Sequence, residues 1–224
     1  MGSLIVIEGL DGSGKATQAE RLVQYLQKEG KKVRKVSFPD YTSDSSALVK
    51  MYLAGEFGMD PNAVNAYAAS SFYAVDRYAS FKKDWGSFYQ EGGTVIADRY
   101  TTSNAIHQCA KLPREDWEGF LDWLFHYEYD LLGIPKPDAV IYLRVSPDIS
   151  QNLLKERYHG DEQKKDIHER NQAYLYKSRE AADFCSDYLN WSRIECTDQR
   201  GMRGIEEIEE EIRRQVVGSL SLPI

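Results

Sequence analysis

The sequence predicts an α/β fold in which helices cover both faces of a five-stranded, mostly parallel sheet. Short apolar runs alternate along the chain with longer segments of helical periodicity, and this order is typical of a parallel sheet. The first apolar run is followed at once by a glycine-rich loop and a helix. The 224 residues, 42% of them hydrophobic, suffice for a single domain with a substantial core over residues 1–224.

Five apolar runs predict the strands. They comprise residues 4–7, 94–97, 139–143 and 193–196, with residues 36–38 as the end of the second strand. Pro39 ends the second strand, because proline cannot continue a ladder of hydrogen bonds. The third strand leads into Asp98, and an apolar strand that ends in an acid has the layout of a Walker B element. Ligands bind at the carboxyl ends of such strands, so we expect the functional site there.

Helical periodicity and capping signals predict the connecting helices. They comprise residues 15–29, 45–55, 60–78, 80–90, 104–111, 114–132, a segment from 147, and residues 166–189 and 204–217. Asp60 and Pro61 have the pattern of an N-cap followed by a first turn. Asp166 and Glu169 have the spacing of a capping box. The charged stretch before them lacks an apolar period, and we expect a lid at about residues 155–166.

Charge and cysteine content argue against several classes of protein. The formal net charge of −7 argues against a general affinity for nucleic acid or for anionic membranes, since both need a basic surface. The longest apolar runs are far shorter than a membrane span. Cys109, Cys185 and Cys196 lack the spacing of metal ligands. Their odd number, without a signal peptide, predicts reduced thiols in a cytoplasmic protein.

The glycine-rich loop predicts a site for a nucleoside triphosphate. It consists of Gly9, Leu10, Asp11, Gly12, Ser13, Gly14, Lys15, Ala16 and Thr17. Between a buried strand and a helix, such a loop turns its backbone N–H groups toward one phosphate, and Lys15 reaches the terminal phosphates. A chance glycine-rich turn is the alternative. Ala16 stands where a hydroxyl normally meets Mg²⁺, so we expect a water to take that place.

Five motifs resemble, in order, those of the bacterial thymidylate kinases, and the match extends over nearly the whole chain. They lie at residues 7–12, 38–39, 73–77, 98–104 and 135–138. The resemblance implies the fold of P-loop nucleoside monophosphate kinases and transfer of the γ-phosphate of ATP to thymidine monophosphate. It also implies Mg²⁺ as a cofactor and a homodimer. Because Gly12 is not an arginine, the resemblance is to the branch of the family whose arginine comes from the lid.

The candidates for catalysis are cations that converge on one phosphate, as phosphoryl transfer requires. Lys15 and Arg99 are the best of them, because Arg99 follows the third strand and offers phosphate oxygens a planar fork. By resemblance, Asp11 meets the acceptor sugar and a metal-bound water, and Asp98 lies beside the metal. An ion pair for Arg99 and a structural loop role for Asp11 remain open. Arg157 is the leading lid cation. The other lid cations are Lys155, Lys164 and Lys165.

Tyr73 and Arg77 form a candidate base-reading pair. They are four residues apart on one helical face, so the ring can stack on a base while the guanidinium bonds its edge. An aromatic packed in the core, with its arginine in solvent, is the alternative. Phe72, the neighbour of Tyr73, is a further candidate for stacking on the base. By similarity, Asn104 reads the pyrimidine edge, with a helix start as its competing role. His107 lies by similarity near the sugar, where the family usually has an aromatic, and we expect it to be packed rather than a general base.

The predicted substrate-binding set combines these residues. It consists of Asp11, Phe38, Phe72, Tyr73, Arg77, Asp98, Arg99, Tyr100, Asn104 and His107. Tyr41 stands where many relatives have an arginine, so one acceptor-phosphate contact is expected to be missing or to come from elsewhere. Two other functions remain open: a kinase for another nucleoside or nucleoside monophosphate, and a nucleotide-dependent P-loop binding module.

Overall fold

The computed structural model describes residues 1–157, 161, 166–199 and 201–220. A five-stranded, wholly parallel sheet with the strand order β2-β3-β1-β4-β5 lies at its centre. The strands are β1 (Ser3–Gly9), β2 (Val33–Ser37), β3 (Thr94–Asp98), β4 (Ala139–Arg144) and β5 (Ser192–Glu195). The five predicted strands are confirmed, although β2 and β5 each end one residue earlier than expected.

Ten α-helices connect and flank the strands in the described part of the chain. They are α1 (Lys15–Lys28), α2 (Ala47–Leu53), α3 (Ala66–Ser80), α4 (Gly86–Gln90), α5 (Thr101–Cys109), α6 (Trp117–Phe125), α7 (Pro147–Arg157), α8 (Ile167–Arg170), α9 (Gln172–Tyr188) and α10 (Ile205–Leu220). None of these helices combines the length and the apolar character needed to cross a membrane.

The central strand β1 is buried on both of its faces. Ile5 packs in one cluster with Leu22 of α1 and Ile212 of α10. Leu4 points to the opposite face and packs in a second cluster, which contains Trp85 from the segment between α3 and α4. Because neighbouring side chains of a strand alternate between faces, one apolar run supplies both layers. The predicted α/β class, with helices on both faces of the sheet, is therefore confirmed.

One predicted helix, residues 60–78, is wrong as a continuous element. Asp60 does accept a backbone hydrogen bond as an N-cap, but only for a 3₁₀ turn over Pro61–Ala63. Val64 is extended, and the side chain of Asn65 then accepts the N–H of Ala68 to cap α3. Two capping residues thus lie within one stretch of helical composition. Composition alone did not indicate the break between them.

Further differences concern how the helices continue or restart. The segments Phe81–Trp85 and His126–Leu131 are π-helical extensions of α3 and α6. The capping box of Asp166 and Glu169 is present as predicted, but the short α8 ends at once and Asn171 caps α9. A small hairpin, β6 (Thr197–Asp198) and β7 (Gly201–Met202), was not predicted because its strands are too short to show alternation.

The order of the strands brings three loops that are distant in the sequence together. β1 lies between β3 and β4, and Ile7 is in register with Asp98 at the end of β3. Ser37 of β2 is in register with the same aspartate from the other side. The loops that follow β1, β2 and β3 therefore leave the sheet at one edge. The candidate site is built at this edge.

Candidate active site

The glycine-rich loop turns sharply between β1 and α1. Gly14 has a φ of 86°, and a β-carbon at Gly9 would lie only 2.8 Å from the carbonyl oxygen of Leu143. Both positions therefore favour glycine. The Nζ atom of Lys15 donates to the carbonyl oxygen of Leu10 at 2.8 Å, which holds the ammonium group at the loop. Strand, loop and helix have the arrangement that a phosphate-binding loop requires.

Lys15 is buried and sits among charges of both signs. Burial, and to a smaller extent the charge of Arg99, lower the pKa of this ammonium to about 8, although Asp11, Asp98 and Glu8 raise it. A phosphate in the loop would add negative charge beside the ammonium and favour its protonated form. The geometry and charge of Lys15 therefore suit the binding of a phosphate group.

Arg99 leaves the end of β3 in a left-handed conformation, with a φ of 68°. Its Nη2 atom donates to a carboxylate oxygen of Asp11, and its Nη1 atom lies 3.3 Å from the hydroxyl of Ser103. Burial lowers the pKa of Arg99, but Asp11 and Glu8 outweigh this effect and raise it, so the guanidinium is charged. For Asp11, burial raises the pKa, yet Arg99 and Lys15 hold it below its usual range.

Glu8 is a fully buried carboxylate to which the sequence analysis gave no role. It accepts the hydroxyl groups of Thr102 at 2.6 Å and Ser103 at 2.8 Å, and the backbone N–H of Gly9 at 2.9 Å. Its Oε1 atom also lies 3.8 Å from Nη1 of Arg99. Glu8 thus ties the start of α5 to the glycine-rich loop. An acid inside an apolar strand is the signal that could have identified it.

Two cavities meet at the carboxyl edge of the sheet. The larger has a volume of about 1270 Å³ and is lined by the loop from Asp11 to Gln18 and by Asp98. The smaller, of about 70 Å³, lies among α3, α5 and α8. Asp11, Arg99 and Tyr41 line both. The cavities therefore share a wall that contains an ion pair, and two ligands could meet there.

The back of the smaller cavity carries a second ion pair, between Arg77 and Glu128. Nε and Nη2 of Arg77 donate to the carboxylate at 2.7 and 2.5 Å, and both side chains are buried. Burial alone lowers the pKa of Arg77, but Glu128 outweighs it and the pKa is raised. Asn104 and Thr101 also donate to Glu128. Glu128 was not predicted from the sequence, because its partner lies 51 residues away.

The structure brings most of the predicted substrate-binding residues together, but not all of them. The residues that line the smaller cavity are Asp11, Phe38, Tyr73, Arg77, Arg99, Tyr100, Asn104 and His107. Asp98 lines the larger cavity. Phe72 lines neither, because it lies one residue round the helix from Tyr73 and packs on Phe57, with ring centroids 5.7 Å apart. Gln108, which was not predicted, is fully buried and lines the smaller cavity with an unpartnered amide.

His107 is packed against a second histidine. Its ring stacks on that of His168, with centroids 5.6 Å apart, and its Nε2 atom lies 3.4 Å from Nη1 of Arg99. Burial, followed by the charge of Arg99, lowers the pKa of His107 to about 3. Burial also lowers the pKa of His168, whose Nε2 atom is 2.8 Å from the hydroxyl of Tyr52. Both histidines are therefore neutral at pH 7, as expected of packed residues.

The predicted lid, at about residues 155–166, meets the described part of the chain only at its two ends and at residue 161. Lys155 and Arg157 belong to α7 by their backbone, but their side chains lie outside the described part, as do Lys164 and Lys165 altogether. At the other end, Asp166 lines both cavities. Burial, and then the charge of Asp11, raise its pKa to about 7. From the sequence, Asp166 was predicted only as a helix cap.

The donor set at the sheet edge fits a magnesium ion that is bound together with phosphate. Asp11 and Asp98 line the larger cavity beside the loop, and carboxylate oxygens are ligands that Mg²⁺ prefers. Within the described ranges, no group of three or more histidine, cysteine or acidic side chains could hold a metal by itself. The methyl group of Ala16 also lines this cavity and offers no oxygen. Phosphate and water oxygens would have to complete the coordination.

Comparison with known proteins identifies the family to which this arrangement belongs. A family model described as thymidylate kinase matches residues 7–201. The thymidylate kinase of Danio rerio is 27% identical over 216 residues, 95% of this chain and 88% of the relative. That of Mycobacterium tuberculosis (strain ATCC 25618 / H37Rv) is 33% identical over 159 residues, 70% of this chain and 73% of the relative.

A solved structure supports the same conclusion at the level of the fold. Thymidylate kinase from Candida albicans superposes with a TM-score of 0.70 at 21% identity, over 98% of this chain and 92% of that one. The family match extends from the end of β1 through the ion-pair wall to the start of β7 and so includes the phosphate loop, α5 and all residues that line the smaller cavity. On this match, the chain belongs to the thymidylate kinase family.

Proposed function

We propose that the protein transfers the γ-phosphate of ATP to thymidine monophosphate and releases ADP and thymidine diphosphate. The observation that carries this proposal is the wall shared by the two cavities. Asp11 and Arg99 stand in it, between a phosphate-binding loop on one side and a small cavity with polar base-reading groups on the other. A donor and an acceptor nucleotide would meet with their phosphates at this wall.

In this proposal the cations of the wall stabilise the transferred group. Phosphoryl transfer depends on positioning and charge neutralisation more than on covalent chemistry. Lys15 binds the terminal phosphates of ATP, and Arg99 bridges from Asp11 to the acceptor phosphate. Asp11 keeps Arg99 in place and meets the acceptor sugar. Arg157, on the last turn of α7, supplies a further cation from the lid.

The smaller cavity is proposed to bind the thymine. Tyr73, Phe38 and Tyr100 line it with aromatic rings, on which a base can stack. Arg77 donates to the base edge and Asn104 reads the adjacent position. These assignments follow the positions of the family motifs and are supported by the shared lining of one cavity. Phe72 has no part in them, because it packs on Phe57 outside the cavity.

Magnesium is proposed as the cofactor, with Asp98 as its nearest protein group and Asp11 as a second. When bound, Mg²⁺ neutralises charge on the phosphate oxygens of ATP. The chain's own contribution is to hold the carboxylates of Asp11 and Asp98 in the wall of the larger cavity beside the loop. This contribution is small, since Ala16 provides no ligand, so the nucleotide is proposed to hold most of the coordination.

A panel of acceptors tests the function. Purified protein is assayed with ATP and each common nucleoside and nucleoside monophosphate, with ATP hydrolysis measured in the absence of acceptor. The proposal requires that thymidine monophosphate gives the highest kcat/KM. Preference for a different acceptor would support another nucleoside or nucleotide kinase. Slow hydrolysis with no acceptor stimulation would support a P-loop binding module instead.

We also propose a homodimer in the cytoplasm. Tyr67, Val75 and Tyr78 lie on one face of α3 and are exposed to between 38% and 49%, which supports contact of this face with a second copy. The buried and free Cys109, Cys185 and Cys196 support a reducing compartment. Sedimentation equilibrium tests the first proposal, and localisation of a tagged chain in cells tests the second.

A further inference from the structure

The carboxylate of Glu128 is the centre of a hydrogen-bond network behind the smaller cavity. It is fully buried and accepts from three side chains on two helices: Arg77 of α3, and Thr101 and Asn104 of α5. Glu128 itself lies in the π-helical segment that follows α6. One side chain therefore fixes both residues that are proposed to read the base.

The network determines the orientation of the Asn104 amide. Its Nδ2 atom lies 3.3 Å from a carboxylate oxygen of Glu128 and 3.2 Å from the carbonyl oxygen of Ser70. Both partners are acceptors only, so only the NH₂ group can make these two contacts. With its two N–H groups used, Asn104 has its carbonyl oxygen left for a ligand in the cavity that it lines.

The same carboxylate determines which part of Arg77 is available. Nε and Nη2 each donate to Glu128, and Nη1 lies 3.4 Å from the carbonyl oxygen of Tyr100. These contacts occupy three of the five N–H groups of the guanidinium. Arg77 can therefore offer only donors to the cavity, next to an acceptor from Asn104.

Resting on the proposed function, we infer that Glu128 is a positioning residue that selects the base by presenting a fixed donor and acceptor. Thymine and uracil carry an acceptor at O4 and a donor at N3, which complement this pair. Cytosine carries a donor amine at position 4 and an acceptor at N3. Its donor would face the donor of Arg77, and its acceptor would face the acceptor of Asn104. A site built to hydrogen-bond one edge discriminates strongly against the other, because mismatched buried groups stay unpaired.

The test uses Glu128→Gln with three acceptors. In this variant the new NH₂ group can face Asn104 in place of the carboxylate oxygen. Asn104 then keeps only the carbonyl oxygen of Ser70 as an acceptor for its own NH₂ group, so the asparagine can turn over and offer that group to a ligand. We expect the ratio of kcat/KM for thymidine monophosphate to that for deoxycytidine monophosphate to fall about tenfold, mainly through KM. Deoxyuridine monophosphate has the same edge as thymine, so its ratio to thymidine monophosphate stays unchanged.

A matched control separates selection from structural damage. Thr101→Val removes a neighbouring hydrogen bond to the other oxygen of Glu128 and leaves the contact to Asn104. It should lower stability but keep the selectivity between thymine and cytosine. An unchanged ratio in Glu128→Gln, or a loss that is equal for all three acceptors, overturns the inference.

Two further measurements keep the test decisive. If Glu128→Gln does not fold, Glu128→Asp keeps the charge opposite Arg77 and withdraws the carboxylate from Asn104 by one methylene. A smaller fall in the same ratio then supports the inference, and an unchanged ratio overturns it. Failure of the proposed function would appear separately, as wild-type protein that does not phosphorylate thymidine monophosphate.

Discussion

Asp11 and Arg99, 88 residues apart in the sequence, form an ion pair in the wall that the two cavities share. One residue comes from the loop after β1 and the other from the turn after β3. Each controls the ionisation of the other, since Arg99 keeps the pKa of Asp11 low and Asp11 keeps that of Arg99 high. Lys15 belongs to the same set, because Asp11 raises its pKa and Arg99 lowers it.

The first prediction concerns the pH dependence of kcat/KM for ATP in the wild-type protein and in Asp11→Asn. Lys15 must be protonated to bind phosphate, and its pKa is about 8 in the free protein. We therefore expect kcat/KM for ATP to fall as the pH rises through about 8. Without the charge of Asp11 the pKa of Lys15 is lower, so in the variant this fall moves to lower pH. Full pH profiles of both proteins provide the measurement. If kcat/KM for ATP falls at the same alkaline pH in both proteins, a group other than Lys15 is responsible for the fall.

The second prediction is that Lys15→Ala lowers kcat by about 10²–10³-fold and leaves the protein folded. The substitution removes stabilisation of charge in the transition state, while no buried partner carboxylate loses its only cation. Lys28→Ala, at the exposed end of α1, is the control and keeps full activity. Single-turnover kinetics and circular dichroism check both. Near-normal turnover by folded Lys15→Ala would contradict the phosphate-loop assignment.

The third prediction separates two roles of Arg77: its ion pair with Glu128, which stabilises the fold, and its proposed contact with the base. Arg77→Ala leaves Glu128 buried without its cation, and we expect it to lower the free energy of unfolding by about 3–5 kcal/mol. Arg77→Lys keeps a positive charge but loses the planar fork. We expect this variant to raise the KM for thymidine monophosphate about tenfold, with the KM for ATP unchanged. Equal loss of affinity for both nucleotides would show that Arg77 does not read the base.

The fourth prediction is that Ala16→Ser stays active and needs less magnesium. A hydroxyl at this position can replace a water in the coordination of the metal. The gain is on the scale of one hydrogen bond, about 1 kcal/mol or less, so the half-maximal magnesium concentration falls by up to about fivefold. Titration at fixed ATP, corrected for free metal, gives this value for both proteins. An unchanged midpoint would mean that the metal sits away from residue 16 or that another group already compensates.

The fifth prediction is that His107 makes the fold sensitive to acid. Its pKa is about 3 in the folded protein, below the ordinary value of 6.5. The unfolded chain therefore binds an extra proton between these two pH values, and stability is lost as the pH falls through this range. We expect the pH slope of the unfolding free energy to be smaller in His107→Phe, by at most about 1.4 kcal/mol per pH unit. Urea titrations from pH 4 to 8 measure it. Parallel curves below pH 6 would contradict the prediction.

The parts of the site that were predictable from the sequence are those encoded by neighbouring residues. The glycine-rich loop, the capping box at Asp166 and the acid at the end of β3 each depend on local spacing, and each lies where the pattern indicated. Glu8 has an indirect signal in the sequence, as an acid inside an apolar strand, and Glu128 has none. The partners of Glu128 come from other elements, so in sequence it is indistinguishable from the many acids that lie in solvent.

The choice between neighbouring side chains was equally beyond the sequence. Phe72 and Tyr73 are both aromatic, and adjacent helical residues point about 100° apart. Which of them reaches the cavity depends on the rotation of α3 about its axis. In the structure α3 is rotated so that Phe72 packs on Phe57 and Tyr73 lines the smaller cavity. The break before α3 is a related case, because Asp60 and Asn65 are both suitable caps and the sequence does not show that the long helix begins only after the second of them.

The left-handed backbone at Arg99 has a consequence for how the site responds to a ligand. In a regular strand neighbouring side chains alternate, but this single turn allows Asp98, Arg99 and Tyr100 all to line the joined cavities. The backbone N–H of Arg99 is bonded to Ile7, so the turn is pinned to the sheet. The backbone of Arg99 is fixed by this turn and its guanidinium is held by Asp11 and Ser103, so the side chain loses little rotational freedom when a phosphate arrives. Entropy that a flexible loop would lose on binding has already been lost on folding.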